Sequence, residues 1–163
     1  MNLDNLVTQD KAESGEWFPV ELYAKPQDFD LLILGDDSDV VQQHSRKALK
    51  KLKGVMGEAL KDKKPEFDDE AIDDLADSNN EAVLVRIAGI RGWKAERDKK
   101  GKVISREPVQ EIVLFDKATG KDRALTDDKE SFRFLITKIP ALKEFVLGKA
   151  RDRTNFLSGP SGN

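Results

Sequence analysis

Phe29-Asp30-Leu31-Leu32-Ile33-Leu34-Gly35-Asp36-Asp37-Ser38-Asp39 changes character at Gly35. Before the glycine runs an apolar stretch with the length of a strand covered on both faces. After it, carboxylate and hydroxyl groups gather where the open N–H groups of a starting helix need acceptors. A strand that feeds a helix within one short stretch predicts a mixed fold.

Upstream, 16–23 alternates, with Phe18, Val20 and Leu22 as the cleaner buried set. Turn formers at Ala24-Lys25-Pro26-Gln27-Asp28 join the two segments into an expected hairpin. Residues 1–15 are polar without a period and read as a loosely held, flexible arm. Downstream, a helix is expected to about residue 60. Val41, Ala48, Leu52, Val55, Met56 and Ala59 form its apolar face. Gly54 and Gly57 weaken its second half by about 1 kcal/mol each relative to alanine.

Phe67, Ala71, Ile72 and Leu75 mark a short acidic helix after Pro65. Ser78-Asn79-Asn80-Glu81 has capping-box spacing for another helix through about Ile90, ended by Gly89 and Gly92. Strands are expected over 93–115, turning at Asp98-Lys99-Lys100-Gly101 and ending in Ile112-Val113-Leu114-Phe115. A loop over 116–122 follows, and Asp127 with Glu130 resembles a second capping box. Phe132, Leu135, Ile136, Ile139, Leu142, Phe145 and Val146 repeat at threes and fours, and Pro140 interrupts them, giving two helices that meet near Ile139-Pro140 or one kinked helix. Phe132, Ile136 and Ile139 are expected in the core. The sum is a single α+β domain over 16–157: a small, mostly antiparallel sheet packed against several helices, with a helical C-terminus and a flexible tail over 158–163.

The 163 residues fit one domain, and 38% hydrophobic content suffices for a modest core. The 28 basic and 31 acidic side chains nearly cancel, so global charge does not point to nucleic acid. No apolar run approaches a membrane span and the N-terminal residues lack signal-peptide character, which makes the cytosol the expected location. The absence of cysteine excludes disulfides and thiolate metal sites.

His44 is the single histidine and has no second histidine or cysteine with which to hold a transition metal. Asp36, Asp37 and Asp39 lack the spacing of a calcium loop and suit caps better. Gly89-Ile90-Arg91-Gly92 lacks the Lys-Ser/Thr ending of a phosphate loop. Neither an enzyme nor a bound cofactor is therefore expected. Charge is segregated: 46–64 is strongly basic, 66–81 acidic and 86–102 basic again. Such blocks suit facing wet surfaces within one molecule or an assembly surface, self-association included. Lys47, Lys50, Lys51 and Lys53 could neutralise phosphates, yet few aromatics stand among them to stack bases, so nucleic acid is not an expected partner. Trp93 is expected in the core. Phe145, Arg153, Asn155, Phe156 and Leu157, next to the Gly/Ser/Pro tail, are the candidate partner contacts.

Glu16-Trp17-Phe18-Pro19-Val20, Leu32-Ile33-Leu34-Gly35-Asp36-Asp37-Ser38, Gly92-Trp93, Leu125-Thr126, Ile139-Pro140-Ala141-Leu142 and Arg153-Thr154-Asn155-Phe156-Leu157 together form a layout. It resembles that of the tail assembly chaperones of long-tailed bacteriophages. The resemblance implies a non-enzymatic helper in the bacterial host cytoplasm. Such a helper binds the helical tape-measure protein, keeps it soluble and gathers tail tube protein around it. The alternative expectation is a structural virion protein of the tail or head-tail joint.

Overall fold

In the computed structural model, which describes residues 8–61 and 69–157, the alternating N-terminal segment is the edge strand β1 (Glu16–Leu22). It pairs antiparallel with β2 (Lys25–Ile33), the apolar run quoted above, setting Phe18 opposite Leu31 and Trp17 opposite Leu32. β2 pairs in turn with β3 (Ile87–Arg97), and β3 with β4 (Val103–Pro108), completing an antiparallel sheet in sequential order. A separate hairpin follows, β5 (Ile112–Asp116) with β6 (Lys121–Leu125).

Helices α1 (Gln9–Ser14), α2 (Asp39–Lys61), α3 (Asp69–Leu84), α4 (Lys129–Lys138) and α5 (Ala141–Arg151) complete the fold with a 3-10 turn at Arg153–Phe156. The chain is an α+β protein with a helical C-terminus. Period-two residues Val20, Leu31, Ile33 and Ile90 supply one side of the core. Val83 and Leu84 of α3, Phe132, Leu135 and Ile136 of α4, and Leu142, Val146 and Ala150 of α5 supply the other. Ile139, at the junction of α4 and α5, is partly buried against this cluster. Pro140 occupies the N-cap of α5, where a missing N–H costs nothing.

Several elements differ from the sequence expectation. Part of the supposed arm is α1, because fully buried Ala12 lies against Gly35, whose N–H donates to the Ala12 carbonyl at 3.1 Å. One small apolar residue gives no period to detect. The β1–β2 turn is Tyr23-Ala24, both at positive φ, and Lys25 and Pro26 already belong to β2. Pro26 pairs with Glu21, and the ladder to β3 begins only at Phe29, so its missing N–H interrupts nothing on that side. Ser78-Asn79-Asn80-Glu81 does not start a helix: α3 runs through it.

The helix expected to continue to Ile90 stops at Leu84, and from Ile87 the chain is β3, in which both glycines admit close neighbours. A Cβ on Gly89 would stand 3.1 Å from Trp17, and one on Gly92 would stand 2.8 Å from both Ile112 and Val109. β6 occupies part of the expected 116–122 loop and its flank. The cap of α4 is Asp128, which accepts from the Ser131 N–H at 2.8 Å, while Asp127 accepts from the Ile90 N–H and ties α4's entry to the sheet. Phe67, residues 1–7 and the 158–163 tail lie outside the described residues.

Candidate partner-binding surface

The C-terminal segment proposed as a contact is built mostly as a clasp. Asp152 ends α5 and caps the 3-10 turn, accepting from the Thr154 N–H at 3.0 Å and from its hydroxyl at 2.6 Å. Those two donors, hydroxyl first, hold the Asp152 carboxyl below its ordinary range. Asn155 donates to the Lys149 carbonyl at 2.9 Å and so closes an open end of α5. Phe156 is 1% exposed and meets Phe18 edge-on at 6.1 Å between ring centres. A Cβ on Gly35 would stand 3.0 Å from it. Phe156 is therefore a core ring, not an exposed contact, because the 3-10 turn folds it back onto the strand-to-helix junction. Phe145 and Leu157 are half-buried, with Lys149 lying 5.6 Å over the Phe145 ring. Arg153 alone stands well out, 73% exposed, paired with Asp37 at 3.0 Å.

The acidic cluster after Gly35 ties elements together. Asp36 accepts from Arg86 at 2.8 Å, and Asp37 accepts from Thr8 as well as pairing with Arg153. The Asp39 N–H donates to Glu13 at 2.8 Å. Asp37 and Asp39 line an open polar cleft of about 570 Å³ together with Arg46 and Arg153. Half-buried His44 lies one turn further along α2. Among the described residues, no group of three or more His, Asp or Glu side chains is placed to hold a metal ion.

On the sheet, Arg91 pairs with buried Asp30 at 2.8 Å and lies 4.3 Å over the Trp17 ring and 5.2 Å from that of Trp93. Trp93 is thus half-buried beside a guanidinium and not in the central core. The stack pairs one oxygen of the Asp30 carboxylate and lays Trp17 over Gly89, while the other Asp30 oxygen and the Trp93 indole N–H are buried without a partner among the described residues.

The unexplained surface lies on the α2–α3 pair. The sequence pattern assigns Leu52, Val55 and Met56 to a buried face, yet among the described side chains of α2 Val41 is the only apolar one fully buried. The helix outruns the core. Leu49, Leu52, Val55 and Met56 on α2 and Ile72 and Leu75 on α3 are 46–56% exposed, leaving an apolar face on a protruding helical pair. Lys47, Lys50, Lys51 and Lys53 are all exposed around it. Neither glycine of α2 has a neighbour within 4 Å of its would-be Cβ, so nothing in the described chain covers that stretch at Gly54 or Gly57. Periodicity finds the apolar stripe, but it does not tell whether the core is long enough to receive it.

Comparison of the chain with protein-family models, curated proteins and solved structures gives no match. No helix among the described residues is long and apolar enough to cross a membrane.

Proposed function

We propose that the protein is a non-enzymatic assembly chaperone of a long-tailed phage. It binds the tape-measure protein before the tail tube forms around it and acts in the host cytoplasm. The observation that carries this reading is the exposed apolar face of α2 and α3: Leu49, Leu52, Val55, Met56, Ile72 and Leu75. An isolated apolar side chain on a surface is ordinary, but six on one helical pair cost solubility unless something covers them. An amphipathic helix laid along the pair would bury its own apolar stripe against theirs, which is helix-in-groove recognition. The layout resemblance supplies the identity of the client, and Arg153 and Phe145 lie on a second, smaller surface near the clasp.

The test is co-expression with the tape-measure protein. The double variant Leu52→Asp with Met56→Asp changes two exposed positions. It is expected to keep a cooperative unfolding transition while reducing recovery of soluble client at least about tenfold, since two charges would be buried against apolar surface. Undiminished capture by the folded variant would overturn the assignment of the face. Finding the wild-type protein in purified virions at fixed stoichiometry would instead favour a structural role.

A further inference from the structure

The apolar face is edged by opposite charge on its two helices. On α2, Arg46, Lys50 and Lys53 recur at four and three residues and so form one row beside Leu49, Leu52 and Met56. On α3, Asp73 and Asp77 form a row beside Ile72 and Leu75. Among the described residues, no ion pair joins either row to the other or to any other element. Among the described residues, each chain thus carries an apolar strip with a basic margin and another with an acidic margin, neither margin being engaged in an ion pair.

We propose that, before a client is met, two copies of this chain cover each other's α2–α3 face, the basic edge of α2 in one copy lying against the acidic edge of α3 in the other. A two-fold axis makes the arrangement self-complementary: α2 meets the partner's α3, and α3 meets the partner's α2. Both apolar strips leave water together, and the four charged rows pair instead of repelling. A heterologous contact would leave an acidic margin open at one end and a basic margin open at the other, whereas the two-fold arrangement leaves none. The inference needs only the face and its charges, not the tape-measure reading.

Light scattering after size exclusion tests it on the purified chain alone. Wild type is expected at twice the chain's 18.3 kDa. Lys50→Glu with Lys53→Glu turns the α2 edge acidic like that of α3, and Asp73→Lys with Asp77→Lys turns the α3 edge basic like that of α2. Each variant is expected to run as a monomer with an unchanged circular dichroism spectrum. Mixed together, they are expected to recover the dimer as a one-to-one heterodimer, because each charged edge again meets its opposite.

A wild-type monomer throughout a concentration series would overturn the proposal and leave the face to another occupant. So would a dimer that survives either reversal, or a mixture that stays monomeric. The wild-type series needs no variant to fold. Client capture is measured separately, so failure here is distinguishable from failure of the chaperone assignment.

Discussion

Phe156 illustrates what a single side chain decides. Its ring fills the space between Gly35, Ala12 and Phe18, and its backbone is fixed by the Asp152 cap. Removing a buried phenylalanine side chain typically costs about 3–5 kcal/mol, through lost transfer energy and the cavity left behind. The neighbouring Arg153–Asp37 pair is open to solvent on the arginine side and is worth about 0–1 kcal/mol. Phe156→Ala is therefore expected to lower the urea midpoint sharply and Arg153→Ala hardly at all. Equal midpoints for the two variants would contradict the clasp. Composition cannot separate these neighbours: an Arg, an Asn and a Phe beside a polar tail suit a contact or a clasp equally, and only the path of the 3-10 turn selects.

Among the elements, the Tyr23-Ala24 turn is the clearest case of local chemistry overruled by pairing. Both residues lie in the left-handed region, at φ 54° and 57°, where a side chain costs roughly 1–2 kcal/mol relative to the ordinary helical region. Ala24→Gly relieves one such penalty and is expected to stabilise the protein by about 1 kcal/mol, less the extra freedom glycine gives the unfolded chain. A lower melting temperature for this variant would count against the turn. The sequence points to Pro26 and Asp28 as turn formers, but the Glu21–Pro26 and Leu22–Lys25 pairings carry the ladder past them.

The same competition explains α3 and β3. Ser78-Asn79-Asn80-Glu81 satisfies a local capping rule, while Ile87 and Ile90 find partners in Ile33 and Leu31 that no local rule reveals. Elements with long repeats were legible: β1, the apolar part of β2, and the α4–α5 pair divided at Pro140. α1 and β6 were not, being too short to show a period. The exposed α2–α3 face was half legible, since the stripe is in the sequence and the missing cover is not.

For the whole molecule, acid sensitivity follows from three carboxylates that tie helices and their ends. Burial works to raise the Glu81 pKa, but hydrogen bonds from Arg133 and Lys129 and their charges outweigh it and hold the group below its ordinary 4.5. The Thr126 hydroxyl and then the Ser131 N–H hold Asp128 below 3.8, and Asp152 is lowered by Thr154 as described. A lower value in the folded chain means that folding favours the ionised group. Its stabilisation is complete above the ordinary value and is lost as pH falls through the depressed one. The urea midpoint is expected to hold from neutrality to about pH 5 and to fall below about pH 4, with a shallower fall in Glu81→Gln. Parallel curves for wild type and the variant would remove Glu81 from this account.

The meeting of Ala12, Gly35 and Phe156 has a consequence for how the protein is made. A ribosome adds about 5–20 residues per second, so Ala12 and Gly35 emerge many seconds before the ring that seals them. Until residue 156 clears the exit tunnel, the nascent strand-to-helix corner carries an unfilled notch, and the final seal of the fold waits on nearly the last described turn to be translated.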